Sequence, residues 1–494
     1  MGEGSEEQIR RDLVRTVIKQ PLYDMIAAAR VNDAAARVNG AAAPRVIPVI
    51  IEANDDYYTG KTAAVTELTG LIKLTADADV LPIGSERNVY YKVSLPASRI
   101  AEVAEKDCRH AMEIQPPGEP LVRYLSIRRI WYDHPVNGLI DKSVSTVKVD
   151  AARRLFLADG KDIVWAVIDS GIDGAHGHFG TNKNLEVKLP LEHCDFSAAG
   201  GSSATALTDG LGHGTHVAGT IAGQFSGMNG IANRTRADEF GEIETFHESV
   251  SLIAGMAPAC KLVSMKVLDD QGQGGISNII AAIDKIQNIN DFGRNMRIHG
   301  VNLSVGYEFD PVWFACGQSP VCVEVNRLVR SGVVVVVAAG NTGYGSLSSN
   351  QRPTGAGMMM TINDPGNAEL AITVGSTHRE SPHTYGVSYF SSKGPTGDGR
   401  IKPDLVAPGE RILSCCAGPL AGGAVNVYVE DSGTSMAAPH VSGAIAAFLS
   451  IHREYIGNPE KVKELFLASA TDLGREPYFQ GRGLLDLMRA IQSV

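Results

Sequence analysis

The sequence predicts an α/β protein: a three-layer sandwich with a mainly parallel central sheet, preceded by a small α+β domain. From Lys161 onward, short apolar strands alternate with amphipathic helices, a pattern typical of parallel sheets that are covered on both faces. Polar residues directly follow several of these strands, as they do where a site forms at the carboxyl ends of parallel strands. A compact strand and helix pattern between residues 45 and 142 predicts the smaller domain.

The 494-residue chain is divided into three parts: a helical extension at 1–44, the α+β domain at 45–142 and the large domain at 143–494. Its length favours more than one domain, because single hydrophobic cores stop growing beyond about 250–300 residues. Residues 5–38 have near-helical apolar spacing with a break at Pro21, and their Ala/Arg-rich second half predicts a loosely attached arm. Residues 138–149 are polar and aperiodic, which predicts a linker.

The elements of both domains are predicted from hydrophobic periodicity. In the small domain, a β-α-β-α-β order and one further strand are predicted at Val46–Ile51, Lys61–Leu74, Asn88–Leu95, Ala97–Lys106, His110–Ile114 and Ile127–Asp133. In the large domain, five strands are predicted at Ile163–Ile168, Leu262–Leu268, Gly300–Ser304, Val333–Ala338 and Ala371–Gly375, with a helix at Ser277–Ile289.

Two segments of the large domain fit this alternation poorly. Residues 224–251 are polar and predict an inserted surface loop, and the acidic cluster Asp238, Glu239, Glu242 and Glu244 indicates a solvated face rather than a cation site. Residues 344–360 are rich in Gly and Ser and end in three consecutive methionines, which predicts an adaptable wall.

Composition and charge exclude several classes of protein. A net charge of -10 argues against nucleic-acid binding and against recruitment to an anionic membrane surface. The longest purely apolar run, Val333–Ala339, is too short to span a bilayer, and residues 1–20 lack the features of a secretory signal. Seven cysteines without a C-x-x-C pair predict buried free thiols, with a Cys316–Cys322 disulfide as the alternative. We therefore expect a cytoplasmic protein without membrane or nucleic-acid partners.

Three polar residues stand in unusual sequence settings. Asp169 ends an apolar strand in AVIDSG, His213 opens a helix of small residues in GLGHGTHVAGT, and Ser435 starts an apolar helix in SGTSMAAPHVSG. Each has a structural interpretation on its own, as a strand-end carboxylate, a helix start and an N-cap. Together they are the residue types that nucleophilic catalysis needs: a hydroxyl, a base and a carboxylate that orients the base.

The three segments, in the order Asp, His, Ser, resemble the catalytic signatures of the subtilisin-like serine proteases. The segment VVVAAGN resembles that family's oxyanion segment, which implies that Asn341 stabilises the oxyanion and that Ala339 and Gly340 bind the substrate. Two further segments resemble the strands that bind an extended substrate. They contain Gly272, Gln273, Gly274, Ser304, Val305 and Gly306. The resemblance extends from about Val149 to Val494.

This resemblance implies a subtilisin-like fold and a serine endopeptidase that forms an acyl-enzyme on Ser435, with His213 as general base and Asp169 as its orienting acid. Peptides or proteins would be the substrates, and the chemistry would need no cofactor. Relatives often bind structural calcium, but no calcium ligand is assigned, since the segment after Asp173 departs from the family pattern. His216 would be structural, because a zinc site with His213 lacks further ligands.

Residues 45–142 resemble, more distantly, the propeptide domain of the same family, which implies a zymogen whose N-terminal domain assists folding and inhibits the cleft. An accessory domain that stays attached is the alternative. Asp364 lies near the expected specificity pocket and favours either a basic substrate residue or, as a residue before proline, a turn. Two other functions stay open: a peptide ligase or macrocyclase with segment 224–251 over the cleft, and an inactive binding protein.

Overall fold

The structure is a computed structural model that describes residues 14–18, 22–23, 26, 46–76, 78–82, 89–132, 143–237, 243–310, 315–347, 354–422 and 426–494. The chain divides into two compact units, Met1–Val136 and Asn137–Val494.

The N-terminal unit has a β-α-β-β-α-β order. Its elements are β1 (Val46–Ala53), α1 (Lys61–Ala76), β2 (Leu81–Pro82), β3 (Tyr90–Pro96), α2 (Ala97–Ile114) and β4 (Ile127–Tyr132). The strands form an antiparallel sheet in the order β2-β3-β1-β4, and apolar residues of both helices and the sheet share one core. This is the order of the split β-α-β fold.

Two predictions for this unit need correction. The strand predicted at His110–Ile114 is wrong: these residues end α2, whose buried positions Ile100, Ala104, Cys108 and Ala111 continue at helical spacing. In the extension, residues 14–17 are helical. Leu22 and Ile26, from the part predicted as loosely attached, are buried in the core of the unit. The rest of the predicted helix at 5–38 lies outside the described residues.

The second unit is built on a seven-stranded sheet. The described strands of the whole unit, inside and outside this sheet, are β5 (Val164–Asp169), β6 (Cys194–Asp195), β7 (Gln224–Ala237), β8 (Ile243–Ala254), β9 (Lys261–Lys266), β10 (Gly300–Leu303), β11 (Val334–Ala338), β12 (Tyr344–Leu347), β13 (Thr354–Gly357), β14 (Ile372–Thr377), β15 (Leu405–Pro408), β16 (Ile412–Cys415) and β17 (Val427–Asp431). The central sheet has the order β15-β14-β11-β10-β5-β9-β6, and all its pairings are parallel. All five predicted strands lie in it.

Helices cover both faces of this sheet. They are α3 (Ser143–Thr146), α4 (Val149–Phe156), α5 (His213–Ile221), α6 (Ile276–Ile289), α7 (Pro320–Arg330), α8 (Pro382–Tyr385), α9 (Thr434–Ile451), α10 (Pro459–Ser469), α11 (Pro477–Gln480) and α12 (Leu487–Gln492). Alternate residues of β5 enter opposite cores: Trp165 and Val167 pack with α5 and α9, while Ala166 and Ile168 pack with α6 and α7. These two cores make the three-layer sandwich that the sequence predicts. The linker predicted at 138–149 is partly wrong, because α3 and the start of α4 lie in it.

Helix α9 occupies the centre of one core. Among the described helices it is the one long and apolar enough to cross a membrane by composition, and 83% of its most apolar window is buried inside the protein. Burial in the core therefore accounts for its apolar character.

The surface loop predicted at 224–251 is instead a long β-hairpin. Strands β7 and β8 pair antiparallel, and β7 also pairs in parallel with β17, so that a second sheet has the order β16-β17-β7-β8. The side chain of Glu430 in β17 is 2% exposed and ties this sheet together: it accepts hydrogen bonds from Arg379 (2.6 Å), Arg234 (3.2 Å) and Arg411 (3.2 Å). Part of the acidic cluster, 238–242, lies outside the described residues.

Candidate active site

Asp169 and His213 are brought together by the end of β5 and the start of α5. His213 donates its Nδ1 hydrogen to Asp169 Oδ1 at 2.7 Å, and the backbone N–H of Ser170 donates to the same oxygen at 2.8 Å. Asp169 is fully buried, whereas a quarter of the His213 side chain is exposed. The close approach needs a glycine at Gly214, since a Cβ atom there would lie 2.2 Å from a backbone oxygen of Gly171.

Ser435 lies in the first turn of α9, where the backbone N–H groups have no acceptor within the helix. Its hydroxyl donates to the Ser304 carbonyl oxygen at 3.1 Å. In return, the Ser304 hydroxyl donates to the Ser435 carbonyl oxygen at 3.0 Å. In a regular helix that carbonyl would accept from the backbone N–H of the residue four positions later. That residue is Pro439, which has no N–H. Ser304 therefore satisfies the carbonyl that the proline leaves free.

The Ser304 hydroxyl is held in turn by a buried polar chain. Asn302 donates from Nδ2 to Ser304 Oγ at 2.9 Å, and Ser442 donates to Asn302 Oδ1 at 2.8 Å. Asn302 and Ser442 are fully buried. These hydrogen bonds join the end of β10 to two points on α9 and fix this helix against the sheet.

Asn341 follows β11, and its amide is oriented by the start of α9. The Asn341 Oδ1 atom accepts from the backbone N–H of Thr434 at 2.9 Å and from the Thr434 hydroxyl at 3.1 Å. Gly340, with φ +106°, turns the chain at this point, and its N–H donates to the Thr434 hydroxyl at 3.1 Å. Because Oδ1 is occupied, the donor atom Nδ2 is the part of Asn341 left to interact with a substrate.

These residues line a cleft of about 460 Å³. Of the residues predicted at the site, the cleft is lined by His213, Gly272, Gly274, Ser304, Val305, Gly306, Gly340, Asn341 and Ser435. Two predicted substrate residues lie elsewhere: Ala339 is fully buried, and Gln273 bonds through its backbone to Asp269. Sequence reasoning missed six lining residues: Leu211, Leu268, Ala338, Thr342, Asn363 and Thr434. A position beside a recognised motif is the one signal that points to them.

The cleft concentrates its charge at the histidine. Among the lining residues, His213 is the one titratable side chain. Burial lowers the pKa of His213, but the charge and hydrogen bond of Asp169, with the charges of Asp431 and Asp209, raise this pKa to about 9. The imidazole therefore attracts a proton strongly, as a general base must.

The structure also describes the surroundings of other residues that the sequence analysis singled out. His216 is buried, and its Nε2 atom lies 3.0 Å from the carbonyl oxygen of Ile412, which fits a structural histidine. Asp364 is buried and accepts from Asn367 at 2.8 Å, so the turn interpretation fits better than a charged pocket. Cys316 and Cys322 are free thiols. Within the described ranges, no group of three or more His, Cys, Asp or Glu side chains is arranged to hold a metal ion.

Proteins of known family that are similar in sequence to this chain include several subtilisins. The chain is 29% identical to subtilisin E of Bacillus subtilis (strain 168) over 414 residues, which cover 83% of this chain and 84% of that protein. It is 31% identical to subtilisin of Bacillus pumilus over 338 residues, 67% of this chain and 92% of that protein. It is also 31% identical to pyrolysin of Pyrococcus furiosus over 325 residues, 57% of this chain but 21% of that longer protein. The subtilase family profile matches residues 160–483, well over half of the chain, and the protein therefore belongs to the subtilase family of serine peptidases.

Proposed function

We propose that the protein is an endopeptidase that uses Ser435 as nucleophile, His213 as general base and Asp169 to orient the imidazole. The observation that carries this proposal is the 2.7 Å bond from His213 to buried Asp169 beside a cleft that His213 shares with Ser435. A buried carboxylate in this position fixes the tautomer that leaves Nε2 free to accept a proton.

The Ser435 hydroxyl turns from the Ser304 carbonyl to His213 before it reacts. An extended substrate that pairs with the end of β10 would donate an N–H to this carbonyl and release the hydroxyl. Ser435 Oγ then bonds to the scissile carbonyl carbon while its proton passes to His213. The Asn341 Nδ2 group and the Ser435 backbone N–H stabilise the oxyanion. His213 gives the proton to the leaving amine as the C–N bond breaks, and water hydrolyses the acyl-enzyme by the same route.

Uncharged residues surround the scissile bond in this scheme. Since the lining of the cleft is uncharged apart from His213, we expect faster cleavage next to neutral side chains than next to charged ones. Asp364 is buried and does not line the cleft, so it does not favour a basic residue.

The test combines covalent labelling with product analysis. Purified protein and its Ser435→Ala variant are treated with a fluorophosphonate and, separately, with a peptide library in the presence of an added amine. Labelling and hydrolysis that both require Ser435 support the endopeptidase. Coupled products in place of hydrolysed ones would indicate a ligase, and an unlabelled Ser435 would indicate a binding protein. Among the residues that the structure describes, none of β7 or β8 lines the cleft, so these strands give the ligase alternative no support.

We further propose that the N-terminal unit acts as a propeptide, an inhibitor that is removed by self-cleavage. Its split β-α-β order supports a separate small domain, and the alignment with subtilisin E, at 83% of this chain, extends well beyond residues 143–494. Mass spectrometry of the wild type and the Ser435→Ala variant tests this. A cut between residues 139 and 151 that requires Ser435 supports self-processing, and identical intact masses would contradict it.

A further inference from the structure

Asp209 is a buried carboxylate that the proposed chemistry does not use directly. It lies four residues before His213, outside the lining of the cleft, and its side chain is almost fully buried. Within the described part of the chain no cationic side chain forms an ion pair with Asp209, and burying an unpaired carboxylate is costly. Its four hydrogen bonds offset this cost, and they show which segments the carboxylate holds.

All four bonds of Asp209 hold the two segments that meet at the catalytic histidine. Its Oδ1 atom accepts from the Ser170 hydroxyl at 2.9 Å and from the Gly212 N–H at 2.8 Å. Its Oδ2 atom accepts from the N–H and the hydroxyl of Thr215, at 2.8 and 2.6 Å. Ser170 directly follows Asp169, whereas Gly212 and Thr215 lie on either side of His213.

Ser170 closes the arrangement. Its hydroxyl accepts from the Gly214 N–H at 2.9 Å while donating to Asp209, and its own N–H donates to Asp169 Oδ1 at 2.8 Å. The backbone is thus fixed at Gly212, Gly214 and Thr215, by Asp209 directly or through Ser170. The His213 side chain is the part of this turn that stays directed at the cleft.

We propose that Asp209 is a positioning residue for catalysis: it holds the start of α5 on the end of β5 so that His213 meets both Asp169 and Ser435. Its charge also acts on His213 without contacting substrate. The other ionisable groups that act on His213 are Asp169 on β5, Asp431 at the end of β17 and His216 on α5. This proposal rests on the proposed function, because it assigns His213 as the base.

The test compares Asp209→Asn with a matched control, Asp270→Asn. Asp270 also accepts from the same loop, at the Gly210 N–H (3.1 Å), but its partner is Lys266 and its side chain is exposed. Both variants remove one negative charge. Asparagine is close to aspartate in shape, but one of its two terminal atoms is a donor and cannot accept these bonds.

We expect Asp209→Asn to lower kcat about 10- to 100-fold on a short neutral peptide amide, with KM within about twofold, because His213 is less well positioned while the cleft is unchanged. A tenfold fall corresponds to about 1.4 kcal/mol of barrier. The acid limb of the kcat/KM profile should move to lower pH. Asp270→Asn should change neither. An Asp209→Asn enzyme with unchanged kcat and an unchanged limb would overturn the proposal, even if its thermal stability fell.

A second readout separates this proposal from the proposed function. In the Ser435→Ala background, NMR titration of the His213 imidazole follows its pKa without any turnover. A lower His213 pKa in Asp209→Asn but not in Asp270→Asn supports the role of Asp209, and equal titrations in all three proteins would contradict it. Absent Ser435-dependent hydrolysis would refute the endopeptidase, and the NMR titration would still decide on Asp209.

Discussion

The link between Ser304, the Ser435 carbonyl and Pro439 predicts an unusual rescue. Ser304→Ala removes the only side-chain donor described for the Ser435 carbonyl and also leaves Asn302 Nδ2 without its acceptor. A buried group that loses its partner costs about 1–3 kcal/mol; because Asn302 is buried and the bond to the Ser435 carbonyl is only partly buried, we expect a loss of about 2–4 kcal/mol in the free energy of unfolding. Pro439→Ala restores an N–H four residues after Ser435, which can take over the carbonyl. In that background, Ser304→Ala should cost about 1–2 kcal/mol less.

The assay is equilibrium urea unfolding of the four combinations, all carrying Ser435→Ala so that no chain digests another. Ser442→Ala is the matched control: it leaves Asn302 Oδ1 without a donor but does not touch the Ser435 carbonyl. Its cost should be the same with and without Pro439→Ala. The reasoning is refuted if the cost of Ser304→Ala is equal in both backgrounds within about 0.5 kcal/mol, the usual margin of additivity.

Four further predictions concern activity, pH dependence and stability. Asn341→Ala should lower kcat about 10²–10³-fold with little change in KM, the range measured for such a donor in subtilisin, and steady-state kinetics on peptide amides check it. The kcat/KM value should rise about tenfold per pH unit up to near pH 9, because His213, whose pKa is raised to about 9, must be deprotonated; a plateau by pH 7 would contradict this. Burial and the charge of His176 lower the pKa of His178 to about 3, below its unfolded value. The stability that neutral His178 contributes is therefore lost as pH falls below about 6.5, by about 1.4 kcal/mol per pH unit. Urea unfolding of His178→Asn should show a flatter dependence of stability on pH. Glu430→Gln should cost about 3 kcal/mol of unfolding free energy and speed amide exchange in β7, since the partly buried Arg234 and Arg379 each lose one charged partner.

The sequence was sufficient for five of the seven strands of the central sheet and for the segments that carry Asp169, His213 and Ser435, because these are local patterns. Apolar runs gave the five strands, and Asp169, Ser304 and Asn341 could be placed at one edge of the sheet from the strand ends alone. The hairpin of β7 and β8 could not be predicted, because its polar strands are stabilised by pairing with β17 and by Glu430, both nearly two hundred residues later. The error at His110–Ile114 came from a short segment whose pattern fits either a strand or the end of a helix.

The positioning groups were missed for a different reason. Asp209, Thr434 and Asn302 are ordinary polar residues next to recognised motifs, and their types are as common in turns and caps as in sites. Their roles follow from bonds that cross between elements, such as the 2.9 Å contact from Thr434 to Asn341. A single sequence contains no record of those contacts.

The late place of helix α9 in the chain has a consequence for synthesis. The helix packs on one face of the central sheet and carries Ser435, the proposed nucleophile, yet it begins only at Thr434. A chain still on the ribosome that ends before this helix lacks α9 on one apolar face of the sheet and lacks the hydroxyl at position 435. Synthesis of α9 therefore adds the central helix of this core and the proposed nucleophile together. With Ser435 as the nucleophile, a chain that is still being made cannot cleave neighbouring chains, because it does not yet contain this hydroxyl.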